Sequence, residues 1–255
     1  MIATIVNCIA VIIGTAIGLL FARRIGETLS DAIAAAAGVV TLVIGFQMAF
    51  QTVNIIYLAL ALITGGILGF WWDIDGKILA IGHWLERRFM VRPSVKAARA
   101  ARAGNEIPPA EKTSRFAYAF LNSSVLFCVG AMAIIGSFKA GTAGDYTTLL
   151  TKSVLDGFMA IVFAAAMGIG TAFSALSILV YQGLLTLTAV WVKPFVTERM
   201  LAELTGIGGA FIVMIGINLL ALRRLKTANY LPGMLVLILL VLADPFIMRI
   251  AALFV

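Results

Sequence analysis

Long apolar runs, separated by short clusters of charge, make up most of this 255-residue chain. Each run is close to the ~20 residues that an α-helix needs to cross a hydrocarbon core of ~30 Å. None shows the alternating pattern that is typical of membrane β-strands. The sequence therefore predicts an all-α polytopic membrane protein with about eight transmembrane helices. These spans are expected at roughly 2–21, 31–50, 55–72, 116–137, 153–175, 176–195, 207–222 and 230–250.

The composition supports a location in the bilayer for the whole chain. With 62% hydrophobic and 12% charged residues and a mean hydropathy of +1.07, there is too little polar surface to cover a water-soluble globule. Arg23 and Arg24 follow the first apolar run instead of preceding it, so we expect a retained span and no cleaved signal peptide. We interpret residues 1–255 as one transmembrane domain.

The distribution of basic residues predicts the orientation of the chain. Eight of the nineteen basic residues lie between residues 87 and 115 of the loop 73–115, and the clusters at 23–24 and 223–226 fall on the same side of the predicted spans. Positive residues concentrate in cytoplasmic loops, so we expect this loop inside the cell and both termini outside. The same rule explains the net charge of +7, and no nucleic-acid partner is predicted.

The loop 73–115 has two predicted parts. Residues 75–89 place apolar side chains, from Ile78 to Phe89, at helical spacing opposite charged ones, which indicates an amphipathic helix on the inner membrane surface. His83, the single histidine, falls in this helix, where an interfacial position is favoured over catalysis. Residues 93–115 are rich in alanine, arginine and proline and are expected to be solvated or partly disordered.

An internal repeat is suggested when the chain is shifted by 171 residues. This offset lays spans 1–3 over spans 6–8 with coincident boundaries and opposite topology, an arrangement that secondary transporters use around a site near the midplane. It predicts three-helix units at 1–72 and 176–255, joined by spans 4 and 5 at 116–175. A rival match between 13–16 and 169–172 implies a parallel pairing but extends over a few residues only, so the inverted repeat is favoured.

Asp156 is the strongest candidate for a functional residue inside a span. A carboxylate at the bilayer centre costs ~2.5–3.5 kcal/mol on insertion scales, so an intramembrane acid indicates function. Lys152 lies one turn earlier on the same helix face. Asp156 is predicted to couple an ion or proton, with Lys152 as its partner or as an anion contact. Both are expected in the first turn of span 5, near the outer mouth, where a gate role or a structural ion pair is an alternative.

Other polar side chains inside the spans could complete a substrate site. We expect Gln47, Asn122, Gln182 and Asn218 to form hydrogen bonds with a substrate. Gln47 and Asn218 hold equivalent places in the predicted repeat and would face each other near its axis. The alternative for all four is an interhelical hydrogen bond worth under ~1 kcal/mol. Further polar residues within the spans are Asn7, Ser123, Ser124 and Tyr181.

Two spans carry glycines four residues apart, namely Gly14 with Gly18 and Gly65 with Gly69. This spacing places both glycines on one helix face, where another backbone can approach closely. Ordinary helix packing is the favoured reading, and a sliding helix pair is the alternative. The same faces allow a homo-oligomer.

The sequence predicts neither an enzyme nor a cofactor or metal site. It has no nucleophile motif, no phosphate-binding glycine loop and no metal-ligand cluster, although a membrane-embedded lipid enzyme stays open. Cys8 and Cys128 lie in apolar helices without the spacing of a disulfide framework. Glu203 and Asp244 fall near the outer interface, where solvation accounts for them.

Residues 127–157 also carry a family resemblance. Together with further matches over nearly the whole chain, they resemble the bacterial DUF554 family of integral membrane proteins, of the YqgA and YdfK type. That family is described as functionally uncharacterised and at most as candidate transporters, so the resemblance implies a bacterial plasma-membrane location and gives no site. The matching residues are Phe127–Met132, Ile135–Ser137, Gly141, Gly144–Asp145, Lys152–Ser153, Leu155–Gly157, Tyr181–Gly183, Gly208–Gly209, Ile215–Asn218, Asn229, Pro232 and the span 1 signature Gly14, Thr15 and Gly18.

From these patterns we expect a secondary transporter or solute-permeation protein of the bacterial plasma (inner) membrane. Its expected partners are membrane lipid and a small solute or ion of unknown identity. The alternative function is a non-transporting membrane scaffold or sensor that acts through the loop 73–115.

Overall fold

A computed structural model describes residues 1–22, 27–89 and 115–251. Within these ranges the chain forms ten α-helices and two short 3₁₀ turns, with no β-strand, which confirms the predicted all-α class. The helices are α1 Ile2–Ala22, α2 Glu27–Ala49, α3 Ile55–Trp72, α4 Ile74–Phe89, α5 Arg115–Cys128, α6 Ala131–Thr142, α7 Thr147–Met167, α8 Gly170–Val192, α9 Glu198–Leu219 and α10 Pro232–Ala251, and the 3₁₀ turns are Lys193–Phe195 and Thr227–Tyr230.

The number of spans agrees with the expected eight. Seven helical stretches in the described ranges are long and apolar enough to cross a membrane, and the bent pair α5–α6 makes an eighth if it is counted as one span. The chain is therefore a polytopic helical membrane protein.

The fifth span begins and ends earlier than predicted, and the sixth span begins earlier but ends at Phe195 as predicted. They were expected over 153–175 and 176–195, whereas α7 covers Thr147–Met167 and α8 starts at Gly170. The boundary lies at Gly168, whose φ of 99° is in the region that glycine tolerates best. The predicted start of span 5 at residue 153 was wrong, because Lys152 and Asp156 lie inside α7 and not at its end.

The fourth span is broken in its middle. A continuous helix was predicted over 116–137, but α5 and α6 meet at an angle of 61°. Gly130 lies at the break with a φ of 132°, a conformation that a side chain would strain. Broken helices are tolerated at membrane depth where other protein groups satisfy the freed backbone atoms.

The predicted amphipathic helix at 75–89 corresponds to α4. Its apolar face packs on α5, where Leu85 lies in a cluster with Phe116 and Phe120. Gly82 allows this approach, because a Cβ at that position would press against Ala117. Residues 90–114, which include most of the predicted solvated loop 93–115, lie outside the described residues, as do the basic residues at 23–24. The alternative scaffold role of the loop depends on that segment.

The glycine pair of span 1 lies in the contact between α1 and α7. A Cβ on Gly14 would overlap the carbonyl oxygen of Gly157, and a Cβ on Gly18 would overlap that of Ile161. The two contacts advance by four residues on both helices, so α1 and α7 run parallel. Their backbones approach as closely as only small residues permit.

The glycine pair of span 3 lies in the contact between α3 and the segment that leads into α10. A Cβ on Gly65 would overlap the backbone of Gly233, and a Cβ on Gly69 would overlap the carbonyl of Asn229. This tight approach fixes the 3₁₀ turn against the end of α3.

The contact between α2 and α9 is antiparallel and reciprocal. Gly38 lies against Leu220 while Gly209 lies against Ala49, and Gly45 lies against Val213 while Gly216 lies against Leu42. Shifting the numbers by 171 converts each contact of a pair into the other. Reciprocal contacts of this kind are what a twofold axis produces. Equivalent helices of the two predicted units also pack in pairs, α1 on α8 and α3 on α10, although the inverted repeat itself stays a prediction.

Candidate functional site

Lys152 and Asp156 form an ion pair at the centre of α7. Their side chains are only 7% and 11% exposed. Nine residues of α7 precede Asp156 and eleven follow it, so at 1.5 Å per residue the carboxylate lies ~15 Å from either end of the helix. The predicted position in the first turn is therefore corrected to one near the middle of the helix, because α7 begins well before residue 153.

The broken span supplies a second partner for Lys152. Its Nζ donates a hydrogen bond of 2.8 Å to the carbonyl oxygen of Phe127, next to the last residue of α5. The final carbonyls of a helix lack intrahelical partners, and the negative end of the helix dipole favours a cation. The ammonium group thus satisfies α5 where it ends inside the protein.

Helices α1 and α8 complete the polar contacts around Asp156. The Nδ2 of Asn7 donates a hydrogen bond of 2.9 Å to Asp156 Oδ2 and lies 3.4 Å from Gln182 Oε1. The side chains of Asn7 and Gln182 are fully buried. We call Asn7, Lys152, Asp156, Gln182 and the carbonyl of Phe127 the central polar cluster. It joins α1, α5, α7 and α8.

Two atoms of the central polar cluster are buried without a partner. Among the described residues, neither Asn7 Oδ1 nor Gln182 Nε2 has a hydrogen-bond partner. A buried polar atom left unpaired costs free energy, and each such atom in a native structure calls for an explanation. One acceptor and one donor are thus free to bind something the cluster does not itself contain.

Asn122, a predicted substrate contact, lies on α5 where that helix packs against α7 and α8. It is fully buried, and its Nδ2 contacts the sulfur of Met167 at 3.8 Å. Its neighbours Ser123 and Ser124 bind Thr171 and Ser177 on α8. The structure therefore separates Asn122 from the contacts of the central polar cluster.

Gln47 and Asn218 are not brought together. Asn218 binds the backbone of Leu225 through both amide atoms, at 2.9 and 2.7 Å, and so stabilises the turn after α9. Gln47 is exposed on α2. They were expected to face each other near the repeat axis. Because α2 and α9 are antiparallel, the two residues instead lie on opposite sides of that axis along the helix pair.

Glu203 is a buried acid that the sequence-based interpretation treated as solvated. It is fully buried and accepts hydrogen bonds from the hydroxyl of Thr52, at 2.5 Å, and from the backbone N–H of Asn54, at 2.8 Å. This corrects the expected solvated position. The polar turn between α2 and α3 was the only sequence feature that could have indicated this contact. It lies about 150 residues from Glu203 in the chain, so the sequence did not connect the two.

Asp244 is likewise buried instead of solvated. It accepts a hydrogen bond of 2.5 Å from the hydroxyl of Tyr57 and forms an ion pair with Arg199. The guanidinium group lies 5.9 Å from the centre of the Tyr57 ring. Asp244 therefore ties the ends of α3, α9 and α10 together.

Asp75 is also a buried acid, and it lies at the start of α4, outside the membrane spans. Its Oδ1 accepts the N–H of Ala228 at 3.3 Å, and its own N–H donates to Asn229 Oδ1 at 2.8 Å. Burial disfavours the carboxylate form and raises the pKa of Asp75 above its ordinary value. These bonds fix α4 to the turn before α10.

The structure offers no group of three or more histidine, cysteine or acidic side chains that could hold a metal ion within its described ranges. Cys8 and Cys128 are both unpaired. One cavity, of about 650 Å³, lies between Leu62 and Tyr230. Another, of about 420 Å³, lies beside Arg115. Neither is lined by a residue of the central polar cluster.

These features define a class: a polytopic helical membrane protein with an ion pair buried near the middle of one helix, beside the break between two bent helices. The chain belongs to the family described as "Protein of unknown function (DUF554)", whose model matches residues 2–242. The resemblance noted in the sequence is thereby confirmed.

Two relatives cover almost the whole chain. The uncharacterized membrane protein YdfK of Bacillus subtilis (strain 168) is 30% identical over 240 residues, which span 92% of this chain and 93% of the relative. The uncharacterized protein YqgA of Escherichia coli (strain K12) is 26% identical over 230 residues, which span 90% and 92% of the two chains. No solved structure matches the chain.

Proposed function

We propose that the protein is a secondary transporter or solute-permeation protein, and that its solute or ion binds at the central polar cluster. The observation that carries the proposal is the Lys152–Asp156 pair buried near the middle of α7. Taking two charges out of water costs several kcal/mol per ion even when they are paired. Intramembrane charges that survive this cost commonly mark ion or substrate paths.

The broken span gives the proposal its second support. In many transporters the binding site lies near the bilayer midplane beside discontinuous helices, whose free ends contact the ion or substrate. Here α5 ends at the central polar cluster, and Phe127 already uses its carbonyl there. The partnerless atoms of Asn7 and Gln182 leave binding capacity in the same place.

Helix packing supports a mechanism based on two related units. The reciprocal contacts of α2 with α9 fit the inverted arrangement in which alternating access arises from rocking of one unit against the other. In this proposal the central polar cluster lies beside the shared axis and not within it, because α5 and α7 belong to the connecting spans.

The proposed setting is the bacterial plasma membrane, with both termini outside and the loop 73–115 in the cytoplasm. The exposed basic residues of the turn after α9, among them Arg223, support this orientation under the positive-inside rule. The proposal includes membrane lipid and a small solute or ion as partners, and neither nucleic acid nor a catalytic step.

The test is permeation through proteoliposomes that contain the purified full chain. Stopped-flow light scattering would follow recovery of vesicle volume after mixing with sodium chloride, potassium chloride, glycine or glucose. We expect faster recovery than in protein-free vesicles for at least one probe, and loss of that gain with Asp156→Asn. Asp31→Asn, at an exposed site on α2, is the matched control and should retain it. Equal permeation by Asp156→Asn and the wild type would contradict the proposed site.

A further inference from the structure

We propose that a groove between α3 and the turn before α10 binds one anionic phospholipid, with an acyl chain in the groove and the phosphate against the basic residues at 223–226. The groove is the cavity of about 650 Å³ beside Tyr230. It shares no residue with the central polar cluster, so its occupancy does not depend on whether the protein transports a solute.

The groove is apolar and opens on the outer surface of the helix bundle. Four side chains line it from α3 and two line it from the opposite side, namely Leu62, Ile63, Ile67 and Phe70, and Met214 and Tyr230. Ile63 and Ile67 are 61% and 64% exposed, so none of the described helices covers them. From Leu62 to Phe70 the groove follows α3 for ~12 Å, at 1.5 Å per residue. One leaflet has ~15 Å of hydrocarbon, half of the ~30 Å core, so this length suits an acyl chain.

A glycine and two aromatic rings give the groove its shape. Gly66 has no side chain, and a Cβ there would lie 2.9 Å from the ring of Tyr230, so this ring packs directly on the backbone of α3. Phe70 meets the same ring edge-on, with 6.0 Å between the ring centres. These contacts hold Tyr230 in place. The groove is therefore formed before a lipid binds, as is usual for small-molecule sites.

The Phe70 end of the groove meets the basic turn. Lys226 Nζ lies 3.4 Å from Asp73 Oδ1, and Asp73 follows Phe70 by three residues. Trp71 and Trp72, which lie between them in the chain, are 80% and 53% exposed. Tryptophan is enriched at the level of the lipid headgroups. The groove therefore ends at the depth at which a lipid phosphate lies.

The charges at this end of the groove are complementary to an anionic lipid. The side chains of Arg223, Arg224 and Lys226 are exposed. The acids at the same end are Asp73, which is exposed, and Asp75, which is buried. The pair between Lys226 and Asp73 is exposed and therefore contributes little, so Lys226 can contact a phosphate at small cost. Basic pockets between transmembrane helices bind anionic headgroups in the same way.

The same charges disfavour a zwitterionic lipid. The choline group of phosphatidylcholine is a fixed cation and would meet the basic turn, where the exposed acid Asp73 already pairs with Lys226. Phosphatidylglycerol carries a negative phosphate and no cation. The two lipids can have identical acyl chains, so a comparison of their binding isolates the contribution of the headgroup.

The first test counts lipids bound to the purified full chain by native mass spectrometry. Phosphatidylglycerol or phosphatidylcholine is titrated into the delipidated protein in detergent. We expect one phosphatidylglycerol to bind saturably, at about fivefold lower concentration than phosphatidylcholine for each basic residue engaged. Glycerol phosphate should not displace it, because it lacks the acyl chains. Equal binding of the two lipids, or displacement by glycerol phosphate, would overturn the proposal.

A double variant, Arg223→Gln with Lys226→Gln, tests the phosphate contact. It should bind the two lipids with equal affinity and keep the thermal midpoint of the wild type, because both side chains are exposed. The matched control is Lys139→Gln with Lys193→Gln, which removes two exposed lysines on α6 and after α8. This control should retain the preference for phosphatidylglycerol. A preference that survives in the first variant would overturn the proposal.

A second double variant, Ile63→Phe with Ile67→Phe, fills the groove and leaves the basic turn unchanged. The affinity for phosphatidylglycerol should fall about tenfold, the loss expected when roughly two buried CH₂ groups are displaced. Ile56→Phe is the matched control, because Ile56 is 63% exposed on α3 but does not line the groove. Binding of phosphatidylglycerol by the filled variant as tightly as by the wild type would place the lipid elsewhere and overturn the proposal.

Discussion

The ammonium group of Lys152 donates a 2.8 Å hydrogen bond to the carbonyl oxygen of Phe127, 25 residues away in the chain. The same group pairs with Asp156 on its own helix. One charge thus neutralises a buried carboxylate and satisfies the end of a broken helix. The ion pair and the break in the fourth span therefore depend on each other.

This mutual dependence predicts non-additive effects on stability. Lys152→Met should lower the free energy of unfolding by about 3–5 kcal/mol, because it leaves a buried carboxylate unpaired. The double variant Lys152→Met with Asp156→Leu should lose much less, since no isolated charge remains. Thermal unfolding in detergent, followed by tryptophan fluorescence, measures both. Losses that simply add would show that the pair is not coupled.

A second prediction concerns the glycine face of α1. Gly14→Ala should destabilise the protein by about 1–3 kcal/mol, because its Cβ would overlap the carbonyl of Gly157 and force α1 and α7 apart. Gly183→Ala on α8 is the matched control, since its Cβ would lie at an ordinary distance of 3.6 Å from Met1. Equal thermal midpoints for the two variants would contradict a tight α1–α7 contact.

The sequence predicted the membrane class and the number of spans because these depend only on local apolar length. It misplaced Lys152 and Asp156 because charges normally end a span, and no local rule shows that two charges neutralise each other inside it. It also treated Asn7 as one polar residue among many. The contact of Asn7 with Asp156 joins residues 149 apart, which only the packing of α1 on α7 reveals.

The dependence on contacts between distant residues also explains why two acids were wrongly predicted to be solvated. Glu203 and Asp244 looked solvated because they lie near span boundaries, yet both are buried by partners from other helices. Gln47 and Asn218 show the opposite error. They hold equivalent places in the predicted repeat, but an antiparallel contact separates equivalent positions that lie away from the axis.

A third prediction tests the buried hydrogen bonds of Glu203. Thr52→Val should destabilise the turn between α2 and α3 by about 1–3 kcal/mol, because it removes a hydroxyl that donates to the buried carboxyl group of Glu203. Thr52→Ser retains the hydroxyl and should stay close to the wild type. The comparison uses thermal midpoints in detergent. A similar loss in both variants would assign the effect to packing and not to the hydrogen bond.

A fourth prediction tests orientation. After replacement of Cys8 and Cys128 by alanine, Val53→Cys and Leu222→Cys place single thiols at positions that are 65% and 71% exposed. The positive-inside rule places the first outside and the second inside. A membrane-impermeant maleimide should label residue 53 in intact cells and residue 222 only after permeabilisation. The reverse pattern would invert the proposed topology.

The last prediction follows from the raised pKa of Asp75. Burial raises this pKa above the ordinary value of 3.8, so the folded state holds the proton more tightly than the unfolded state. The stability that protonated Asp75 contributes is fully present below the ordinary pKa of 3.8. It is lost as the pH rises through the pKa that Asp75 has in the folded state. We therefore expect the thermal midpoint to fall with rising pH above about pH 4.

Asp75→Asn should flatten this slope and raise the midpoint at neutral pH, because the amide oxygen still accepts the N–H of Ala228 without carrying a charge. Asp31→Asn changes an exposed carboxylate on α2 and should leave the slope in place. Thermal unfolding across the pH range compares the three proteins. If Asp75→Asn keeps the wild-type slope, a different group sets the pH dependence, and the docking of α4 on the turn before α10 does not respond to protonation of Asp75.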